Sequence, residues 1–352
     1  MHRFFVNVLK LLNVLVVLGT LLAVVSFYLP ITIVPSLSFF ALIIPVWVGF
    51  NLLFLIFWGV KRNRFAFLSF ACLIASILVF KRPFNISASR DSTVEQGAFT
   101  IMSYNVRGLN KNQEIPIAHA DSAIFEFLHK EKPDVLCVQE SHHQMKRSGS
   151  LDLIYPYKHV DFIYGDYDGH VINSIYSKFP IVDYEVINFP KSDNAAISAD
   201  LLIHTDTIRI YNVHLQSFRV VPDMSRLQDE ESGKLLKRMS YGFHKQEQQV
   251  KVLQEHMADS DLPILLTGDF NTTQFSKVYK VLGAGFRDSF FEAGTGFGRT
   301  MEVFGMPFRI DYIFADRNFD IISHTNFDIE LSDHYPVMAA VKLNHPEPGG
   351  SK

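Results

Sequence analysis

The chain has 352 residues, room for one large domain or two ordinary ones, and is 48% apolar with a formal charge of −3. The first 80 residues hold no Asp or Glu and only five of the 33 Lys and Arg, leaving 28 basic against 36 acidic residues beyond them, a balance of −8. An acidic remainder argues against a protein that grips long DNA or RNA by counterion release, which needs a basic face. Cys72 and Cys137 lie in separate apolar stretches, so no disulfide is expected and the redox compartment is not legible.

Three apolar stretches open the chain. Leu11 to Leu29 and Phe39 to Val60 are long enough to span a bilayer at about 20 residues per crossing, and Phe65 to Phe80 is at the lower limit. A cleaved signal peptide would account for the first stretch alone. Two more follow it without a small-residue cleavage pattern, and no polar face interrupts them as in a soluble core. Residues 1–80 are therefore read as a membrane domain with three transmembrane helices, at about 11–29, 39–60 and 65–80.

Arg3 and Lys10 precede the first span, Lys61-Arg62-Asn63-Arg64 separates the second from the third, and Pro30 to Ser38 is uncharged. Basic loops stay in the cytoplasm, so the reading is a multi-pass protein of the plasma or inner membrane with residue 81 onward outside. Lys81 and Arg82 oppose this orientation, and a third segment that fails to cross would leave the remainder in the cytoplasm.

Residues 81–98 lack periodicity and read as a linker. Strand-like and helix-like segments then alternate over 99–343, before a flexible tail at 344–352. Strands are expected at Phe99–Tyr104, Val135–Gln139, Ile172–Ser177, Ala196–Ile203, Ile208–His214, Ile264–Gly268, Arg309–Phe314 and Val337–Val341. Helical periodicity marks Ala118–Lys130 and, within a charged, Gln-rich region, Phe243–Met257. The mixture predicts packed sheets flanked by helices, an α/β fold.

Polar, metal-capable residues sit where these strands end. The segments are Tyr104-Asn105, Val138-Gln139-Glu140, Asn212-Val213-His214, Gly268-Asp269-Phe270-Asn271 and Ser332-Asp333-His334, with Asp311-Tyr312 near the start of another. One Asp after a strand is ordinarily a cap or turn residue, and one His a hydrogen-bonded structural group. Six such places in one domain are hard to attribute to turns, because strand ends on a rigid sheet aim side chains at a common point.

The order and content of this set resemble the endonuclease/exonuclease/phosphatase superfamily over about residues 99 to 343. The resemblance implies two packed mixed β-sheets flanked by helices, a four-layer sandwich with its site at one end. It implies hydrolysis of a phosphate ester by in-line attack of water, with Mg²⁺ or Mn²⁺ as cofactor. The metal set is then Asn105, Glu140, Asp269 and Asp333, the last as a direct or outer ligand. His214 matches a family histidine that contacts the scissile phosphate.

The residue types suit these roles. Carboxylates are hard oxygen ligands for Mg²⁺ and Mn²⁺. Asn105 can hold Glu140 or the phosphate without adding charge, Asp269 can bind a metal or orient the attacking water, and Asn271 can donate to a phosphate oxygen as charge develops. His334 can exchange a proton or hydrogen-bond the phosphate, and in the family Asp311 fixes its tautomer.

Two departures bear on the substrate. The repair-nuclease branch carries Asn-x-Asp in the first motif, where this chain has Asn105-Val106-Arg107. Arg107 either grips an anionic head group or is a solvated surface residue. Gly169 to Ile181 resembles another family strand, with His170 and Asn173 near enough in sequence to reach the site or to serve the structure alone. The expected partners are a phosphate-ester substrate and a lipid bilayer, with no obligate protein partner. A lipid or lipid-linked head group suits an acidic domain held at a membrane. The alternatives are an extracytoplasmic nuclease and a non-catalytic scaffold that has kept the fold.

Overall fold

The computed structural model describes residues 2–29, 37–80, 82–86, 96–111, 116–142, 144–145, 149–160, 173–218 and 232–344. The helices are α1 (His2–Ser26), α2 (Ser38–Leu42), α3 (Ile44–Val60), α4 (Ala66–Val79), α5 (Ala120–Glu131), α6 (Ser232–Ala258), α7 (Lys277–Leu282) and α8 (Ser289–Ala293). The strands are β1 (Asn85–Ile86), β2 (Ala98–Asn105), β3 (Val135–Gln139), β4 (Tyr157–Val160), β5 (Ser174–Ser177), β6 (Ile181–Asn188), β7 (Ala195–Ile203) and β8 (Asp206–His214). They continue as β9 (Ile264–Asp269), β10 (Arg287–Asp288), β11 (Thr295–Gly296), β12 (Met301–Val303), β13 (Met306–Phe308), β14 (Asp311–Ala315), β15 (Phe319–Asn326) and β16 (Val337–Leu343). The chain divides into two compact units. One holds residues 1–83, 218–247 and 272–281, the other 84–217, 248–271 and 282–352. Two late segments thus belong with the N-terminal helices.

In the first unit the N-terminal helices pack side by side. Asn13 donates to Ser69 and Asn51 to Thr20, both at 2.8 Å, while Phe27 meets Phe80 edge-on at 5.2 Å. These pairings run α1 antiparallel to α3 and parallel to α4. Gly19 lets the Trp47 indole approach, since a Cβ there would lie 2.9 Å from the ring. Polar Asn13, Thr20, Asn51 and Ser69 are fully buried between the helices beside apolar Ala23, Ile44 and Trp58, whereas Phe5, Leu15, Leu53, Phe67 and Leu78 are exposed. Among the described residues one helix, over Arg3–Ser26, is long and apolar enough to cross a membrane, and Ile44–Val60 and Ala66–Val79 are shorter apolar helices. The second expected span, Phe39 to Val60, is not one helix. It breaks at Ile43 because Pro45 lacks an N–H and seats at the start of α3.

In the second unit two six-stranded sheets pack face to face, in the orders β10-β14-β9-β8-β7-β6 and β15-β16-β2-β3-β5-β4. Each is mixed, with β8 parallel to β9 in the first and β2 parallel to β3 in the second. Phe99, Ile101, Val135 and Cys137 face Ile197, Ala199, Ile210 and Leu265 in the core between the sheets. The alternate positions Met102, Tyr104, Leu136 and Val138 pack with Ile124 and Leu128 of α5. Strands apolar on both faces are what such a covered sheet requires.

Every expected strand is present, most shifted by one or two residues at an end. The sequence reading omitted β4, β6, β10 and β15, the four edges of the two large sheets, where exposed polar residues blur the period, and the two- and three-residue strands β1, β11, β12 and β13. The linker is also partly structured. Asn85 pairs with Gly296, and its fully buried amide donates to the carbonyls of Phe290, Phe291 and Gly294. Residues 87–95, most of the tail and His170 lie outside the described residues. Asn173 is buried and donates to Ala195 O at 2.8 Å.

Candidate active site

The two parallel pairs deliver the site. The register sets Asn105 beside Gln139 at the ends of β2 and β3, and His214 beside Asp269 at the ends of β8 and β9. Asp311 opens β14 directly opposite Asp269. Gly268 makes the β8–β9 approach feasible: its φ is +135°, and a Cβ there would lie 2.0 Å from Val213 O.

These side chains converge on Asp269 Oδ2. Asn105 Nδ2 donates to it at 3.0 Å and to Glu140 Oε1 at 3.1 Å. His214 Nε2 lies 3.6 Å from Asp269 Oδ2 and 3.8 Å from Glu140 Oε1, and His334 Nε2 lies 3.7 Å from the same Asp269 oxygen. The other His334 nitrogen, Nδ1, is 3.0 Å from Asp311 Oδ2 and 3.2 Å from Asp311 Oδ1. His214 is buried, and neither ring nitrogen has a hydrogen-bond partner among the described residues. Asp269, Asp311 and His334 offer ligand atoms all within 4.8 Å of one another. A buried cluster of two carboxylates and an imidazole, edged by the half-exposed Glu140, suits a hard divalent cation.

Charge shifts follow from this crowding. Burial opposes a charge on His334, but Asp311 and Asp269 outweigh it and push the imidazole up to about 9. Burial and the neighbouring Asp311 raise Asp269, against the pull of His334 and His214. Burial works against ionisation of Glu140, yet His214 and the Asn105 hydrogen bond hold it below the ordinary carboxylate range.

Asn271 and Asp333 sit differently. The Asn271 backbone N–H donates to Asp269 Oδ1 at 2.8 Å, and its Nδ2 donates to Leu215 O at 2.9 Å and Asp269 Oδ2 at 3.2 Å. Both amide directions are thus aimed at protein acceptors, and Asn271 clamps Asp269. Asp333 ion-pairs with Arg107 and lies outside the Asp269, Asp311 and His334 trio. Arg107 begins a left-handed turn with φ of 44°, 60°, 59° and 53° over Arg107–Asn110, and Glu140 and Asn271 are also left-handed. Such strain gathers where surrounding contacts over-determine the backbone.

Two supports were missed in the sequence. Gln139 donates to Ser103 Oγ at 3.1 Å and Asn212 Oδ1 at 2.6 Å, bridging the sheets next to Glu140. Thr300, fully buried, accepts the N–H groups of Ile310 and Asp311 on its hydroxyl, while its carbonyl accepts Tyr335 N–H at 2.7 Å. It ties the Asp311 strand to the His334 loop. Gln139 was marked as a polar strand-end residue and given no role, whereas nothing in the sequence around Thr300 points to the site.

The endonuclease/exonuclease/phosphatase family matches residues 102–334, and a domain of unknown function matches residues 4–83. No curated protein matches the chain at a significant level. Solved structures with the same fold include an endonuclease/exonuclease/phosphatase from Beutenbergia cavernae, at 17% identity and TM-score 0.53, covering 70% of this chain and 72% of that one. A humanized D. rerio TDP2 shows 17% identity and TM-score 0.54, covering 70% and 99%. The human Nocturnin catalytic domain with bound sulfate shows 16% identity and TM-score 0.52, covering 70% and 94%. At such identities the likeness shows the fold alone. The family match spans most of the chain and includes every residue converging on Asp269, and the protein belongs to the endonuclease/exonuclease/phosphatase family.

Proposed function

We propose that the protein is a membrane-tethered, divalent-metal-dependent phosphoesterase that hydrolyses a lipid or lipid-linked phosphate ester by in-line attack of water. The observation that carries this reading is the convergence of Asn105, His214 and His334 on one buried Asp269 oxygen, beside Glu140.

Glu140 and Asp269 would hold Mg²⁺ or Mn²⁺, with Asp333 contributing from further out; Asn105, expected as a ligand, instead turns its Nδ2 to both carboxylates and its Oδ1 to Arg107 N–H, and so positions them. When bound, the metal supplies Lewis-acid polarisation of the phosphoryl oxygens. Asp269 orients the attacking water, and Asn271 keeps its carboxylate fixed. Asp311 accepts from His334 Nδ1 and so sets the tautomer. His334, drawn towards its charged form, donates from Nε2 to the phosphate or the departing oxygen. His214 contacts the scissile phosphate, and Arg107, held by Asp333, reads an anionic group of the substrate.

The buried polar pairs and exposed apolar side chains of the N-terminal helices support their immersion in lipid, where polar side chains join helices and apolar ones face out. Lys10 lies over the Phe65 ring at 5.4 Å, at the end of the bundle that carries Lys61 to Arg64. The aromatic Phe27–Phe80 pair marks the opposite end. The basic loop Lys61 to Arg64 supports three crossings with the N-terminus inside and the catalytic domain outside, and Lys81 and Arg82, next to Phe80 in the chain, and Lys280 at the Phe27 end oppose it. At 14 residues α4 is about 21 Å long, so it crosses with bilayer thinning and flanking residues taking up the mismatch.

The test incubates the full-length protein with phospholipid vesicles, DNA, RNA and bis(p-nitrophenyl) phosphate, each with Mn²⁺ or with EDTA. Head-group release that needs Mn²⁺ is expected. Cleavage of nucleic acid without lipid turnover would replace this reading with an extracytoplasmic nuclease, and full activity in EDTA would remove the metal. A reporter at Asn63 should be cytoplasmic and one after Lys352 extracytoplasmic; both on one side would refute the topology.

A further inference from the structure

Positive charge gathers at the end of the helical unit marked by Phe27 and Phe80. The stretch 272–281 belongs to this unit and is seated on that end. Its Phe275 joins Ala23, Phe27, Ala41, Ile44 and Phe80 in one apolar cluster, and the ring meets Phe80 edge-on at 6.1 Å. From there Lys280 reaches the residues just beyond α1. Its ammonium lies 4.2 Å from the centre of the Tyr28 ring and 4.7 Å from that of Phe27. Tyr28 is 58% exposed, and Lys280 is exposed. Arg82, also exposed, follows Phe80 by two residues, at most about 7 Å of chain. The Phe80 and Phe27 rings meet at 5.2 Å, so both cations stand at the same end.

No acid balances them. Residues 1–83 and 272–281 contain no Asp or Glu. Lys277 takes Glu247 at 3.9 Å, whereas among the described residues neither Lys280 nor Arg82 has a carboxylate partner. On an ordinary protein surface such cations are simply solvated. Here they stand where an apolar surface stops: Leu21 and Val25 of α1 and Ile77 and Leu78 of α4 are exposed in the last turns before them. In a bilayer that is the head-group level, where tyrosines collect and where basic side chains meet lipid phosphates. The two rings also hold the Lys280 ammonium in place, so less freedom is lost when an anion binds it.

We propose that this end of the helical unit binds anionic phospholipid: Lys280, held over Tyr28 and Phe27, and Arg82 take the head-group phosphate of a lipid with net negative charge. The proposal rests on the immersion of the helices in lipid and goes beyond it by naming the lipid class and the residues that select it. It also accounts for basic residues at an end that loop charge alone would leave neutral, since contact with the lipid holds them there.

Trp47 serves as the reporter, because it packs against the Phe27 and Phe80 cluster. Full-length protein carrying Trp58→Phe, which leaves Trp47 as the one tryptophan, is reconstituted into vesicles. Its fluorescence is quenched by phosphatidylglycerol or phosphatidylcholine bearing the same spin label. At about fivefold per basic residue near an anionic surface, the parent should prefer phosphatidylglycerol about 25-fold. Lys280→Gln and Arg82→Gln should each cut the preference about fivefold, and the double variant should bring it near unity. Lys280→Arg should restore it, and 0.5 M salt should weaken it. Lys61→Gln, at the other end of the bundle, should leave it unchanged. Equal quenching by both lipids in the parent, a preference that survives the double variant, or an equal loss in Lys61→Gln would overturn the proposal while leaving the helices in lipid. Absence of quenching by either lipid would refute the immersion itself, and the proposal with it.

Discussion

Gln139 and Asn212 meet across the two sheets at 2.6 Å, Gln139 one residue before Glu140 and Asn212 two before His214. The bond is fully buried, and Asn212 also donates to Val138 O and Ser174 O. Gln139→Leu strands the Asn212 oxygen, so it should destabilise by about 1–3 kcal/mol. The double replacement with Asn212→Leu should cost less than the sum of the two, because the shared bond is lost once. Denaturant midpoints measure both, and strict additivity would mean the bond does not couple the sheets.

Gly268→Ala has nowhere to go. The neighbour of its new methyl group is backbone, Val213 O at 2.0 Å and Val213 N at 2.7 Å, and φ is +135°. A loss on the order of 3 kcal/mol is expected, with His214 and Asp269 forced out of register. Chemical denaturation reads the first effect and hydrolysis the second. A variant of parental stability would show that the β8–β9 approach is looser than this.

For the proposed proton-transfer pair, His334→Ala should lower kcat by about 10²–10⁴-fold, the range for general acid–base catalysis, with little change in KM. Asp311→Asn should cost less, and combining the two should add little, because the pair acts as one unit. Thermal melts must accompany the kinetics. An active His334→Ala, or one inactive because unfolded, removes this role.

His324 gives a pH dependence away from the site. Burial drives its imidazole down to about 4, with Asp288 pulling the other way. Its rings of support are Ser289 Oγ at 2.8 Å on Nδ1 and Asn326 Oδ1 at 3.2 Å on Nε2. A depressed folded value means the folded state binds fewer protons, so this contribution is present above the unfolded value of about 6.5. It is lost as pH falls from there through about 4, and amounts to about 3 kcal/mol. His324→Gln should flatten the fall in melting temperature between those values. An unchanged slope would assign the acid sensitivity to other groups.

Glu140→Gln keeps the shape of the side chain and removes a ligand charge. The variant should need more Mg²⁺ or Mn²⁺ for half-maximal activity, and its saturated rate should recover in part. Metal titrations of activity and of melting temperature should shift together. An unshifted titration would move the metal away from Glu140.

The sequence by itself determined the inner strands of both sheets and the polar residues at their ends. Buried strands such as Val135–Gln139 and Ile264–Asp269 must be apolar on both faces, so they stand out, and a polar residue that interrupts them marks the strand tip. Edge strands were lost for the opposite reason. Four consecutive exposed residues in β6, Val182 to Glu185, leave no apolar period to read. Only the tertiary structure decided what the tips do to one another. That Asn105, His214 and His334 share Asp269 Oδ2 depends on parallel registers and on a glycine at which a Cβ would lie 2.0 Å from a carbonyl, which are relations between strands far apart in the chain. The same holds for Asn271, read as a phosphate donor and found clamping Asp269, and for Asp333, drawn to Arg107 across the site. Composition fixes which groups are present, but hydrogen-bond geometry is settled by whichever acceptor packing brings within about 3 Å.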